Sequence, residues 1–173
     1  MSALDIVVKR RSIRSYIPKK EIPTKILDKL KEALIWAPSA GNLQARKFYF
    51  VFKDETKSKL AQGALGQDFI ARCSLVIVCC ADLEKVSKTY GKRGEKLYSI
   101  CDVSASIQNM LLAATENGLG TCWISAFNEA KISQIMNLSE SLKPIALVTV
   151  GYPNESPEPP KRVSKEEAVE EIK

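Results

Sequence analysis

Apolar residues recur along this chain at two spacings. In some segments they return every three or four residues, which is the spacing of one face of a helix. These segments predict helices at 24–36, 54–65, 102–118 and 129–137. Shorter apolar runs, rich in aromatic or β-branched residues, predict strands at 48–52, 74–81, 121–127 and 145–152. Strands interleaved with helices indicate an α+β fold, in which helices flank a central mixed or antiparallel sheet.

The longest helical pattern has the sequence DVSASIQNMLLAATENG and predicts a helix at the centre of the core. Its apolar residues share one helix face: Val103, Ile107, Met110, Leu111 and Ala114. Asp102 is suited to cap its start and Gly118 to end it. Thr24 is the expected cap of the first helix, which stops before Pro38 because the residue ahead of a proline avoids the helical region.

Two segments show neither the helical nor the strand spacing of apolar residues. Residues 83–97 are polar and contain glycine, which predicts a mobile excursion; it is either a place for substrate contacts or a solvated loop. Residues 153–173 are rich in proline and then in charge, so they cannot fold alone, and we expect an arm that lies across a partner subunit. With no internal repeat, we expect a single domain over residues 1–173.

The composition is ordinary for a water-soluble domain, since 45% of the 173 residues are hydrophobic and 27% are charged. No apolar run reaches the ~18 residues needed to cross a bilayer. The N-terminus also lacks the basic-then-apolar order of a signal peptide. We therefore expect a cytoplasmic protein with no membrane partner.

The sequence contains no histidine, which excludes a Ser-His-Asp triad, a histidine general base and a histidine-ligated metal. The five cysteines show no C-x-x-C spacing, which argues against a disulfide framework and a zinc site. We therefore expect no metal and no catalytic side chain, so that a cofactor carries any chemistry.

The formal net charge of +6 raises the possibility of nucleic-acid binding. However, 20 acidic residues are mixed with the 26 basic ones, and no reading helix or aromatic–basic RNA signature is present. We expect no nucleic-acid partner. A basic nucleic-acid module is the alternative for a chain that carries no cofactor.

The most distinctive cluster of charge lies near the start of the chain, in the sequence VVKRRSIRSY. Arginine forks match phosphate oxygens, and a serine hydroxyl adds a neutral donor. Four residues of this basic segment can surround one phosphate: Arg10, Arg11, Ser12 and Arg14. The alternative is the solvated basic end of a first helix.

Five stretches in this order resemble the nitroreductase family of FMN-dependent oxidoreductases. They are RRSIRSY, APSAGNLQARKF, GQDFIARCSLVIVCCAD, DVSASIQNMLLAATENGLGTCWI and GYPNESPEPPKR. No stretch is specific alone, but their combination is, and the resemblance spans about residues 1–165.

The resemblance implies a homodimer with an FMN site at each subunit interface. The basic segment, together with Lys161 and Arg162, would then hold the FMN phosphate and ribityl chain. The loop that meets the flavin from the second subunit would contain Pro38, Ser39, Ala40 and Asn42. Gln67 is a further candidate contact, and the main chain at Trp123, Ile124 and Ser125 would face the ring. Many relatives have glycine in place of Ser125, which bears on access to the ring.

The resemblance also implies an activity in which NADH or NADPH reduces the flavin, which then reduces nitroaromatics, quinones or similar small acceptors in a ping-pong cycle. Arg14 is the candidate cation beside the flavin. Two alternatives within flavin chemistry are a non-catalytic FMN carrier or sensor, and a specialised reaction such as reductive dehalogenation.

Overall fold

The computed structural model describes residues 2–173. Within them the chain forms eight α-helices: α1 (Ala3–Lys9), α2 (Thr24–Ile35), α3 (Asp54–Gly63), α4 (Phe69–Arg72), α5 (Leu83–Arg93), α6 (Ser99–Glu116), α7 (Glu129–Met136) and α8 (Lys165–Ala168). It forms four strands: β1 (Arg46–Val51), β2 (Leu75–Asp82), β3 (Gly120–Ile124) and β4 (Leu142–Gly151). All four predicted helices and all four predicted strands are therefore confirmed, with boundaries shifted by a few residues.

The strands form one sheet in the order β1-β2-β4-β3, and every neighbouring pair is antiparallel. β1 and β3 are therefore the two edge strands. The expected α+β class is confirmed, and the sheet of named strands is antiparallel. A single parallel bridge, between Ser12 and Thr121, attaches the N-terminal segment outside β3.

Helices cover both faces of the sheet. Side chains alternate between the two faces along a strand. Leu75 and Ile77 of β2 therefore point to the face that is covered by α2 and α6. Val76 and Val78 point to the opposite face, which is covered by α3, α4 and α7. β2 is consequently buried on both faces. The predicted apolar face of α6 is buried in the first of these two layers.

The expectation of a mobile excursion at 83–97 is wrong, because this segment is helical. Asp82 caps α5 by accepting a hydrogen bond from the backbone N–H of Lys85 at 2.9 Å, and Val86 is fully buried. A turn of π-helix at Gly94–Tyr98 then joins α5 to α6. The cap at Asp82 and the burial of Val86 thus both stabilise a helix in this polar segment.

Two predicted helix caps are also wrong. Because the π-turn leads directly into α6, that helix begins at Ser99, and Asp102 lies buried within it. Thr24 is the first residue of α2, and Pro23 holds the cap position. The end of α6 agrees with the prediction, since Gly118 follows it with a φ of +74°.

The N-terminal segment is anchored to the sheet by a buried tyrosine. The Tyr16 hydroxyl donates to the Ile13 carbonyl oxygen at 2.6 Å and lies 2.7 Å from Thr149 Oγ1 on β4. Burial raises the pKa of Tyr16, so the group stays a neutral phenol. Main-chain bonds from Ile13 to Thr121 and from Ile17 to Tyr152 complete the attachment.

We expect Tyr16→Phe to lower the free energy of unfolding by about 1–3 kcal/mol, because it leaves buried acceptors without their donor. Urea unfolding measures this. The matched control is Tyr49→Phe on β1, whose hydroxyl makes no hydrogen bond within residues 2–173. Equal effects of the two substitutions would contradict the anchoring role.

Candidate functional site

The basic segment runs along the outer edge of β3. The Ile13 N–H donates to the Thr121 carbonyl oxygen at 2.8 Å, and the Ile13 side chain is buried. This close approach requires glycine at position 120, where an added Cβ would lie 2.7 Å from Ile13 Cγ1. In an extended segment, alternate residues point to opposite sides, so the side of Ile13 differs from the side of Ser12 and Arg14.

Arg10 and Arg14 share that second side with a thiol of β3. Burial raises the pKa of the Cys122 thiol, and the nearby guanidinium groups of Arg14 and Arg10 act in the opposite direction. Among residues 2–173, neither guanidinium lies within 4.0 Å of a carboxylate. The two cations are therefore gathered at one place without a direct ion-pair partner.

Arg11 does not join Arg10 and Arg14. Its guanidinium donates to the carbonyl oxygens of Val8, at 2.6 Å, and Arg10, at 2.9 Å, at the end of α1. It also lines, with Ile13 and Glu155, a cavity of about 460 Å³ on the other side of the segment. The alternation of an extended chain thus separates Arg11 from its two neighbours.

Glu155, in the C-terminal tail, is hydrogen-bonded to the backbone of the basic segment. Its carboxylate accepts hydrogen bonds from the backbone N–H groups of Arg14 and Ser15, the latter at 3.0 Å. These bonds fasten the start of the C-terminal tail to the basic segment. They engage main-chain donors, so the Arg14 side chain stays available.

The end of β3 brings three further predicted residues together with Gln67. Trp123 and Ile124 are the last residues of the strand, and Trp123 Nε1 donates to the exposed Ser125 hydroxyl at 2.9 Å. Gln67 Nε2 donates to the carbonyl oxygen of Ala126 at 3.1 Å. The predicted ring-facing segment and Gln67 are therefore neighbours, at the opposite end of β3 from Gly120.

The loop at residues 37–45 lies elsewhere in the chain. It leads into β1, which is the edge strand farthest from β3. Three strand spacings separate the two edges, or about 14 Å. One chain therefore does not bring four of the predicted residues to the basic segment: Pro38, Ser39, Ala40 and Asn42.

Lys161 and Arg162 lie in the exposed tail. Within the described part of the chain, their one hydrogen bond runs from Arg162 Nη1 to the Lys161 carbonyl oxygen at 3.5 Å. Neither side chain forms a hydrogen bond or an ion pair with the basic segment among the described residues.

Helix α5 lies beside the loop at 37–45. The Tyr90 hydroxyl packs against Gly41, at a position that a Cβ would fill. The Tyr90 ring also meets the Tyr98 ring edge-on, with centroids 5.2 Å apart, and Arg93 Nε donates to the Tyr98 hydroxyl at 3.0 Å. The segment at 83–97, which the sequence predicts to be mobile, is therefore helical and packs against this loop.

Two buried or partly buried charges next to this loop escaped the sequence analysis. Arg46 donates to four carbonyl oxygens, and Asp102 accepts from the Ala40 N–H at 3.0 Å. The available signal for Arg46 was one of two adjacent cations just ahead of a predicted strand. Asp102 resembled an ordinary helix cap.

The comparison with family models decides the classification. A model described as "Nitroreductase family" matches residues 7–67 and 57–152. The chain belongs to the nitroreductase family. The match includes the basic segment, the loop at 37–45, Gln67 and all four strands.

Individual relatives of this nitroreductase-family protein are similar over most of its length. An NADH dehydrogenase of Thermus thermophilus is 28% identical over 196 residues, covering 98% of this chain and 95% of the relative. An FMN reductase (NADPH) of Bacillus subtilis is 26% identical and covers 88% of this chain and 66% of its own. The structure of an NADPH:FMN oxidoreductase from Vibrio harveyi, complexed with NAD+, superposes with a TM-score of 0.90. The two chains are 24% identical, and the match covers 99% of this chain and 77% of the Vibrio harveyi chain, so the likeness shows a shared fold.

Neither a membrane-spanning helix nor a metal centre is found in the described part of this family member. No helix within residues 2–173 is long and apolar enough to cross a membrane. The same residues contain no group of three or more acidic, cysteine or histidine side chains placed to hold a metal ion.

Four of the five thiols are buried, and burial raises their pKa values: Cys73 to about 11, Cys80 to about 12, and Cys79 and Cys122 in the same direction. Only the thiolate is a good nucleophile. We therefore expect at most one thiol per native chain to react rapidly with a disulfide reagent at pH 8, and five in denaturant. Cys101→Ser, at the exposed position, removes any rapid phase; a rapid phase that persists contradicts the burial of the other four.

Proposed function

We propose that this protein is an FMN-dependent oxidoreductase that takes reducing equivalents from NADH or NADPH and reduces small acceptors such as nitroaromatics or quinones. The observation that carries the proposal is the pair of unpaired cations, Arg10 and Arg14, held against β3 in a chain of the nitroreductase family. The name of the Bacillus subtilis relative, an FMN reductase, supports the choice of cofactor.

The residues of the site fit a flavin mononucleotide. A phosphate dianion needs several donors and positive charge, which two guanidinium groups and the Ser12 hydroxyl supply. Because Arg10 and Arg14 have no carboxylate within ion-pair distance among residues 2–173, binding a dianion would relieve their mutual repulsion. Arg11, whose guanidinium binds carbonyl oxygens at the end of α1, is not needed to bind the phosphate.

FMN, when bound, accepts a hydride equivalent and passes electrons to the acceptor. The chain's own part is to bind and orient. Arg10, Ser12 and Arg14 would hold the phosphate and ribityl chain, and the main chain at Trp123–Ser125 would face the ring. Gln67 keeps this segment in place through its bond to Ala126. No histidine is required, because a flavin accepts hydride without a protein acid or base. Donor and acceptor would enter and leave one pocket in turn, which gives ping-pong kinetics.

We further propose a homodimer in which each site is completed by the second subunit. The strand order separates the loop at 37–45 from the basic segment, so a second copy is the natural source of the loop. The arm at 153–173, with Lys161 and Arg162, would lie across that copy and add cations to the phosphate site. On this proposal residues 1–173 form one domain, working in the cytoplasm, where NAD(P)H is available.

The surface of α1 supports an interface. The helix has no buried residue, and Leu4, Val7 and Val8 are 69%, 47% and 63% exposed. An apolar helix face on a water-exposed surface is typical of a contact with another chain.

The first experiment is a visible spectrum of the protein after incubation with FMN and desalting, followed by anaerobic NADH and then NADPH. Flavin bands that bleach with either nucleotide support an oxidoreductase and identify its donor. Retained bands that never bleach would favour the carrier or sensor. If no flavin is retained, the proposed cofactor is wrong.

We expect Arg10→Ala combined with Arg14→Ala to weaken FMN binding about 100-fold or more, since two charge-assisted contacts to phosphate are lost. Titration followed by quenching of FMN fluorescence measures the dissociation constant. The matched control, Lys59→Ala with Arg72→Ala, removes the same charge from exposed positions on α3 and α4. Unchanged affinity in the first variant would refute the phosphate site.

We expect a dimer in sedimentation velocity, and we expect Leu4→Glu to raise its dissociation constant about tenfold or more by placing a charge in an apolar contact. Leu65→Glu is the matched control, because this leucine is similarly exposed, at 74%, in the turn after α3. A wild-type monomer that retains FMN would contradict the shared site.

A further inference from the structure

We propose that Arg46 and Asp102 form a clamp that fixes the shape of the loop at 37–45 and so positions it for the flavin site of the opposite subunit. This inference rests on the proposed function. It assigns the two residues a positioning role, in which they act on the loop and do not touch the flavin.

The Arg46 guanidinium binds main-chain oxygens of three segments. Nη2 donates to Ile35 at 3.1 Å and to Ala37 at 2.6 Å, at the end of α2. Nη1 donates to Pro38 at 3.0 Å in the loop and to Asp102 at 3.2 Å in α6. One planar group thus ties together the last residue of α2, the first two residues of the loop at 37–45 and the central helix α6.

Asp102 holds the same loop from the other side. Its Oδ1 accepts from the Ala40 N–H at 3.0 Å, and the residue is 5% exposed. Its side chain is not within 4.0 Å of the Arg46 guanidinium, so the two do not form a direct ion pair. The charge of Asp102 nevertheless favours charged Arg46, since burial lowers the pKa of Arg46 and Asp102 acts in the opposite direction.

The loop needs such support because its backbone is strained. Asn42 and Gln44 have φ values of +53° and +52°. Non-glycine residues in this region persist only where the surroundings determine the conformation. Within the loop, the bond from the Gln44 N–H to Ser39 Oγ at 3.0 Å contributes. The charged side chains that anchor the loop to the fold are the partly buried Arg46 and the buried Asp102.

The position of the loop makes the effect intermolecular. Both clamp residues lie in the same chain as the loop, at the β1 edge, whereas the basic segment of that chain lies beyond β3. A substitution in the clamp should therefore weaken FMN binding at the site whose Arg10 and Arg14 belong to the partner subunit. A role confined to the stability of its own chain would not have this consequence.

Arg46→Ala in both subunits should raise the FMN dissociation constant about tenfold or more, because a loop that is no longer pre-organised must be ordered on binding. Lys47→Ala, the exposed neighbour on the same strand, is the matched control and should bind FMN like the wild type. Asp102→Ala tests the other half of the clamp and also serves if Arg46→Ala does not fold. Asp102→Asn keeps an oxygen for the Ala40 N–H and should restore most of the affinity; an effect as large as that of Asp102→Ala would overturn the hydrogen-bonding role.

The decisive experiment uses mixed dimers purified through two different tags. One subunit carries Arg46→Ala, and the other carries Arg10→Ala with Arg14→Ala. If the clamp acts on the partner's site, both faults fall in the same site, and titration shows one site per dimer with wild-type affinity for FMN. If it acts within its own subunit, each site has one fault and no site keeps wild-type affinity, which overturns the proposal.

Failure of this inference is distinguishable from failure of the proposed function. A wild-type protein that binds no FMN would overturn both. A wild-type protein that binds FMN and loses it on Arg10→Ala with Arg14→Ala, but keeps full affinity in Arg46→Ala and in Asp102→Ala, would overturn the clamp alone.

Discussion

The attachment of the N-terminal segment to the edge of β3 is the constraint on which the proposed site depends. A backbone bond from Ile13 to Thr121, permitted by Gly120, and the buried Tyr16 hydroxyl hold the segment in an extended form. That form places Arg10 and Arg14 on one side although their charges repel. The burial of Ile13 and Tyr16 and the pairing with the sheet offset this repulsion, so the cations are in place before any anion arrives.

The order of the strands imposes a second constraint. With β1 and β3 at opposite edges, the loop before β1 and the cations beside β3 face different surroundings in one chain. A ligand that needs both has to lie between two copies. In the proposed homodimer, the two-fold interface would supply walls that one chain lacks, so that a small domain could hold a cofactor as large as a flavin.

The parts of this molecule that depend on local pattern could be predicted from the sequence. Hydrophobic spacing was sufficient for α2, α3, α6, α7 and every strand, but not for the short helix α4 or for α5, each of which buries only one residue. A dense run of cations was sufficient for the basic segment. The role of Arg11 could not be separated from that of Arg10, because the alternation that parts them is fixed by pairing with Thr121, far along the chain. Asp102 was misassigned because a π-turn, which has no clear sequence signal, extends α6 toward the N-terminus.

Arg46 shows why a side chain that binds several main-chain segments is hard to predict from the sequence. Its four acceptors belong to three segments, and they are main-chain oxygens that any residue type provides. Nothing in the sequence of those segments marks them as partners. The helix at 83–93 was less hard to predict than the contacts of Arg46. The sequence shows its cap, Asp82, and the residues of its Glu84–Lys88 ion pair, which the structure places 2.8 Å apart. However, the same segment contains glycines, which argue against a helix.

The two halves of the proposed site are prepared by different means, and each within its own chain. Sheet pairing holds the basic segment, whereas buried charges and the packing of Tyr90 on Gly41 hold the loop. A loop that had to be ordered by a ligand on another subunit would take its ordering entropy from the binding free energy of that ligand. Because the strained loop is already fixed by its own chain, dimerisation and flavin binding bring together two formed surfaces. In the proposed dimer, Arg46 would therefore help to determine the flavin site of the partner subunit, although it is remote from the cations of its own subunit.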